Sequence, residues 1–274
     1  KFTIMNILRI LDKLSNDKFF TGEASRLQTL SSIADFGKKA AVAAVPLGLG
    51  VMMSTPAHAE TTASSSAALA TPLIDALQLA LTLEYLEDEY YRMGIAKAGL
   101  IPSADLTVFK QISKHETAHV AFLKMTLTAL GTAPAAKPNF DFTVKGAFDP
   151  MNDYEQFLIL AQAFEDTGVR AYKGQAGNVM SNKDVLTAAL QIHSVEARHA
   201  SQVRRMRANK GWIELANGGN MPAATNAVYK GEDVTVQAGF NTATAFGAAA
   251  GSAAYDEPMS GTDATAIASL FIQS

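Results

Sequence analysis

Two Glu-x-x-His units, Glu116-Thr117-Ala118-His119 and Glu196-Ala197-Arg198-His199, stand 80 residues apart, and each follows a lone acidic residue set in an apolar helical stretch. Glu84 precedes Glu116 by 32 residues and Glu165 precedes Glu196 by 31, so the order carboxylate, carboxylate, imidazole occurs twice at nearly one spacing. The chain therefore reads as two copies of a helical hairpin. With 12 Glu and 5 His in 274 residues, chance supplies roughly 0.2 Glu-x-x-His units. One unit alone is a weak motif; two in register are not.

The spacings carry meaning only on helices, and hydrophobic periodicity supplies them. Residues 74–98 place Ile74, Leu77, Leu81, Tyr91 and Ile95 on one stripe at three- and four-residue steps, with Glu84 on the same stripe and so pointed at the core. Residues 104–130 repeat the pattern through Phe109, Ile112, Val120, Leu123 and Leu127, and residues 153–176 and 184–208 add two more helices. Pro102, Ser103 and Asp105 break the first pair, and Gly177, Asn178, Ser181 and Asn182 break the second; such short loops make antiparallel neighbours. Residues 131–152, carrying Pro134, Pro138 and Pro150, form one long crossover between the second and third helices. The expected class is all-α, a four-helix bundle over residues 72–210.

Side chains three residues apart on a helix are neighbours, with Cβ atoms about 5–6 Å apart. Glu116 thus shares an environment with His119, and Glu196 with His199. Glu84 and Glu165, one from each remaining helix, complete a set of four carboxylates and two imidazoles. Four negative charges balance two divalent cations, and an ionised carboxylate on an apolar stripe is costly unless it is paired or binds a metal. Glu84, Glu116, His119, Glu165, Glu196 and His199 are therefore the expected ligands of a dinuclear site; buried structural ion pairs, or a site that has lost its metal, are the competing readings. Carboxylate with imidazole does not choose between iron and manganese; two iron ions are expected, with manganese the alternative.

Tyr91 and Tyr172 fall seven residues, two helical turns, after Glu84 and Glu165. Helical side chains lean toward the N-terminus, so both phenols are candidates to reach back over the site, as hydrogen-bond donors behind the ligands or as one-electron sources. Core aromatics with a satisfied hydroxyl are the plainer alternative. Asp88 is a candidate outer carboxylate, Glu87 and Glu89 are expected to face solvent, His193 to sit in the core, and His115, one position before Glu116, to point elsewhere.

The segment Leu83-Glu84-Tyr85-Leu86-Glu87, the two Glu-x-x-His helices and Phe164-Glu165 resemble the ferritin-like superfamily. The tail Ala254-Tyr255-Asp256-Glu257-Pro258-Met259 makes the chain more similar to a bacterial ferritin-like, desiccation-related and hence stress-response branch than to cage-forming ferritins; the likeness covers residues 72–274. The resemblance implies terminal ligation by Glu84 and Glu165, bridging by Glu116 and Glu196, and one imidazole per metal from His119 and His199. It further implies a non-haem di-iron oxidoreductase acting on dioxygen or peroxide, in iron oxidation or peroxide removal. A structural or envelope-assembly protein, whose metal site only braces the bundle, is the second expectation.

The ends differ from this core. Lys38-Lys39, the apolar run 40–53 and Ala57-His58-Ala59 follow the order of a charged region, a hydrophobic region and an Ala-x-Ala cleavage site. Residues 1–59 therefore read as a signal-like leader, cleaved or retained, and the protein as exported, periplasmic or envelope-associated. Fourteen helical residues reach about 21 Å, short of the roughly 30 Å hydrocarbon core, so a membrane surface or protein partner is expected there in place of a spanning anchor. Residues 1–59 carry seven Lys and Arg against four Asp and Glu, or +3, which leaves −6 for the rest of a chain whose net charge is −3. No nucleic-acid partner is expected from this balance, and the absence of cysteine excludes thiolate ligands and disulfides. An oligomer is compatible with the composition. Residues 60–71, rich in Ser, Thr and Ala, read as a linker, and residues 211–274 as an extension packing on the bundle. In that extension Val234 and Val236 alternate as in a short strand, and Ser260-Gly261-Thr262-Asp263 opens a helix running through Ala264, Ile267, Ala268, Leu270 and Phe271.

Overall fold

The computed structural model describes residues 60–273, and residues 1–59, with the expected leader, basic pair and cleavage site, lie outside them. Four long helices follow in the expected order: α1 Glu60–Ala96, α2 Ser103–Ala129, α3 Tyr154–Val179 and α4 Lys183–Met206. Helix α1 packs along α2 and α3, and α3 along α4. Leu77, Leu81, Glu84 and Tyr91 are buried, as their shared stripe requires. The stretch 60–71, expected as a linker, is helical and continuous with α1, which carries Pro72 in its interior. Of the Ser, Thr and Ala on which the linker reading rested, alanine is the strongest helix former.

Local chemistry sets the helix ends. Thr132 N–H donates to the Leu127 carbonyl at 2.9 Å and Gly131 N–H to the Thr128 carbonyl at 3.0 Å, with Gly131 at φ 77°, so α2 closes in a Schellman turn. Asp153 caps α3 by accepting from the N–H groups of Glu155 and Gln156, and Asn182 caps α4 by accepting from those of Asp184 and Val185. Helix α3 runs through Gly177 and Asn178 to Val179, so the second loop is shorter than its composition suggests.

Beyond α4 come a short 3-10 turn, α5 Asn226–Tyr229, a hairpin of β1 Val236–Gln237 with β2 Phe240–Asn241, α6 Thr242–Phe246, α7 Ala248–Ser252 and α8 Gly261–Ser269. The hairpin is antiparallel, pairing Val236 with Asn241 and Gln237 with Phe240. It turns on Ala238 and Gly239 at φ 49° and 85°, the two positive values a type I′ turn needs. Ser260 caps α8, accepting from Asp263 N–H at 3.1 Å. The helix ends at Ser269, short of the expected Leu270 and Phe271; Leu270 is exposed, while Phe271 turns inward and meets Phe164 edge-on at 4.8 Å.

This extension covers α3. Met259, Ala264, Ile267 and Ala268 pack with Leu83, Ala163 and Ala171. Buried Arg170 pairs with Glu232 at 2.6 Å and donates to the Lys230 and Glu257 carbonyls at 2.9 and 3.0 Å. Close approach depends on Gly174, where an added Cβ would stand 1.8 Å from the Met259 carbonyl oxygen. Residues 160–172 of α3 are consequently all buried, with the bundle on one side and the extension on the other, and α3 shows no solvent-exposed face there. The crossover is tied to the same segment, as Asp141 N–H donates to the Phe271 carbonyl at 2.7 Å and Gln273 N–H to the Asn139 carbonyl at 2.9 Å. Among the described residues no helix is long and apolar enough to cross a membrane.

Candidate metal centre

Glu84 of α1, Glu116 and His119 of α2, Glu165 of α3, and Glu196 and His199 of α4 meet inside the bundle. All four carboxylates are fully buried, and the His119 side chain keeps only 11% exposure. The distances fall into two overlapping sets. His119 Nδ1 lies 3.2 Å from Glu84 Oε2, 3.0 Å from Glu116 Oε2 and 2.9 Å from Glu196 Oε1. His199 Nδ1 lies 3.0 Å from Glu116 Oε1, 3.3 Å from Glu165 Oε2 and 3.1 Å from Glu196 Oε2. Glu116 and Glu196 thus give one oxygen to each set, whereas Glu84 and Glu165 serve one set apiece. Within each set the four ligand atoms lie within 4.8 Å of one another.

Protons alone do not satisfy this arrangement. One ring nitrogen carries at most one proton and cannot donate to three oxygens. Glu116 Oε1, Glu165 Oε2 and Glu196 Oε1 are buried with no hydrogen-bond partner among the described residues. Such a group costs about 1–3 kcal/mol, more when charged, and here each orphan oxygen faces an imidazole nitrogen that a cation would share. Burial first, with Glu196 and Glu116 adding and His119 opposing, pushes Glu84 up to about 8. Burial likewise lifts Glu165 well above the carboxylate range. Burial would lower both imidazoles, but Glu84 acting on His119 and Glu165 acting on His199, with the hydrogen-bonded carboxylates, raise them well above their ordinary range. Burial would raise Glu196 too, yet the two imidazoles beside it hold it below the usual range. Protons therefore stand where two divalent cations would neutralise the cage, and the donor set of carboxylates and imidazoles fits iron or manganese.

The two tyrosines converge on the site by crossing it. Tyr91 O–H donates to Glu165 Oε1 and Tyr172 O–H to Glu84 Oε1, both at 2.5 Å. Each phenol reaches the opposite helix instead of the carboxylate of its own, because α1 and α3 face each other across the site. Each bond occupies the outer carboxylate oxygen and leaves the inner one to its imidazole set. Burial above all, then the adjacent carboxylate, raises both phenols, which keeps each O–H a donor.

Three neighbours depart from the sequence reading. Glu87 is 2% exposed and does not face solvent. It lies toward α3, where Gly168 leaves the space: a Cβ there would stand 3.3 Å from Glu87 Oε1. Glu87 and Gly168 follow Glu84 and Glu165 by three residues each, so the duplicated pattern is broken at this position. Burial and then the four cage carboxylates raise Glu87 well above its ordinary range. Asp88 is no outer carboxylate of the site; it accepts from Thr117 Oγ1 at 2.7 Å and pairs with Arg92 at 3.5 Å. His115 turns toward the site, with Nδ1 2.9 Å from His199 Nε2. Its position, about 100° around the helix from Glu116, lies on the α2 flank that meets α4, and that interhelical geometry was the missing clue. His193 keeps a packing role, its Nδ1 3.0 Å from the Val169 carbonyl.

Comparison with family models matches residues 73–209 to the ferritin-like domain. Comparison with curated proteins finds no match.

Proposed function

The chain belongs to the ferritin-like domain family, and from that premise we propose that it is a dinuclear carboxylate protein holding two iron or two manganese ions and reacting with dioxygen or peroxide. The observation that supports this most is the sharing of Glu116 and Glu196 between two otherwise separate ligand sets. Glu84, Glu116, Glu196 and His119 would hold one ion, and Glu165, Glu116, Glu196 and His199 the other. When bound, such a pair supplies or accepts electrons for one oxygen substrate presented to both ions.

The chain's own groups then have distinct tasks. Four carboxylates neutralise the pair, and one atom from each of four residues leaves positions free on ions that favour more than four ligands. The O–H groups of Tyr91 and Tyr172 hold the outer oxygens of Glu165 and Glu84, which aims the inner oxygens at the centre, and in this proposal both phenols also serve as one-electron sources. Tyr91 is walled off from water by Phe109, stacked at 5.8 Å, and by Phe157 at 6.3 Å. Export belongs to the same proposal, on the leader's order of basic pair, apolar run and Ala-x-Ala site; the mass of the N-terminus in protein recovered from its source tests it.

The experiment is to load the full chain anaerobically with two Fe(II) per chain, then with Mn(II), and to follow dioxygen uptake and peroxide loss. Consumption by the loaded protein, and not by Glu116→Ala at the same metal concentration, is the expected result. Two bound ions with no consumption of either oxidant would overturn oxidoreductase activity and leave a metal that braces an envelope scaffold.

A further inference from the structure

The two metal positions are not equivalent, and the difference lies outside the six ligands. His199 Nε2, the ring nitrogen turned away from the carboxylates, lies 2.9 Å from His115 Nδ1, and the two rings meet edge to edge, with centroids 5.1 Å apart and 10° between their planes. His115 Nε2 in turn lies 2.7 Å from the side-chain amide of Gln111, one turn earlier on α2. The other half of the bundle has no such chain. Val195 stands one position before Glu196, where His115 stands before Glu116. His119 hydrogen bonds only through Nδ1 among the described residues.

Resting on the dinuclear reading, we infer that His115 is a positioning residue for His199 and makes the ion on the His199 side the more tightly held of the two. A ring that offers Nδ1 as a lone pair to a cation must carry its proton on Nε2. His199 Nε2–H then donates to His115 Nδ1, which puts the His115 proton on Nε2. That N–H donates to the Gln111 amide oxygen, brought into place by a half-turn of the amide, since its nitrogen and oxygen are interchangeable in outline. This wiring satisfies all three groups and keeps the ligating nitrogen free. The hydrogen bond selects the tautomer and, lying in the plane of both rings, fixes the orientation of His199.

His115 and His199 line an open groove of about 560 Å³ between α2 and α4, together with Lys110, Lys114 and Arg198. Truncation at 115 therefore exposes His199 Nε2–H to water without emptying a closed core. Partners of ligating histidines typically contribute about 10–100-fold to metal affinity, and an effect of that size is expected on one ion only.

The test is calorimetric titration of the full chain with Zn(II), a diamagnetic probe, together with NMR of the imidazole N–H protons in the loaded protein. In the wild type one ring N–H is expected to be protected from exchange. His115→Ala should weaken one site about 10–100-fold, spare the other and abolish the protected signal. His115→Asn, whose amide oxygen stands near the place of Nδ1, should restore both. Combined with Glu84→Ala, the substitution should still weaken the remaining ion; combined with Glu165→Ala it should not. Equal weakening of both sites, no weakening, or a loss that His115→Asn fails to repair would overturn the positioning role. Fewer than two ions in the wild type would instead overturn the dinuclear reading on which it rests.

Discussion

Replacing the carboxylates one at a time separates shared ligands from unshared ones. Glu84→Ala removes one atom from the His119 set and none from the other. Glu116→Ala removes one from each, because its Oε2 faces His119 and its Oε1 faces His199. If the about 10–16 kcal/mol of a four-ligand site divides evenly, each ligand carries about 3 kcal/mol, or roughly 100-fold in Kd. Charge sharpens the contrast: three carboxylates leave a net positive charge in a dry site, and both ions feel it when the missing group lay between them. The expected result for Glu84→Ala is one ion at wild-type affinity and one about 100-fold weaker. Glu116→Ala should weaken both by at least that factor, with Glu165→Ala behaving like the former and Glu196→Ala like the latter. Calorimetric titration with Mn(II), backed by metal content after gel filtration, reads both numbers. Identical losses from Glu84→Ala and Glu116→Ala would refute the sharing.

Tyr91→Phe should leave Glu165 Oε1 buried and unpaired, costing about 1–3 kcal/mol in denaturant unfolding of the metal-free protein. It should loosen the ion on the His199 side, while Tyr172→Phe loosens the other; an effect on the ion beside the tyrosine's own helix partner would contradict the crossed hydrogen bonds. Metal uptake should expel the protons that burial holds on Glu84, at about 8, and that the neighbouring carboxylates hold on the two imidazoles. A raised pKa means a proton held more tightly, so apparent metal affinity should climb with pH through neutrality; uptake at pH 7 with no proton release into a weak buffer would count against this. Gly174→Ala places a Cβ 1.8 Å from the Met259 carbonyl oxygen. The overpacking cost of about 1–3 kcal/mol should outweigh the helix-propensity gain of up to about 1 kcal/mol, lowering Tm and speeding protease cleavage of the C-terminal extension. An unchanged cleavage pattern would mean that the extension does not depend on that contact.

Much of the bundle is legible in the sequence because α2 and α4 each bury one face and α1 carries a buried stripe that the spacing of Leu77, Leu81, Glu84 and Tyr91 records directly. Duplication is equally legible, and it brings six side chains to one place. What it hides are the positions where the copies differ. Glu87 lies in a run of acidic residues that reads as a solvated face, and its burial depends on Gly168 of another helix. His115 reads as misdirected because periodicity within α2 says nothing about how near α4 lies. The tyrosines lie at the spacing that the site needs, yet only the packing of α1 against α3 decides that each serves the opposite carboxylate. For α3, burial on both sides comes from an extension of small residues and short elements whose own pattern is weak, and the Ser- and Thr-containing start of α1 follows alanine propensity that composition alone obscured.

Anomalous diffraction from crystals of the full chain loaded with manganese tests the central claim most directly. Two peaks are expected inside the bundle, one beside Nδ1 of His119 and one beside Nδ1 of His199, with Glu116 and Glu196 in contact with both and Glu84 and Glu165 with one each. A single peak, or ions bound only at the surface while these six side chains keep their hydrogen bonds to one another, would contradict it.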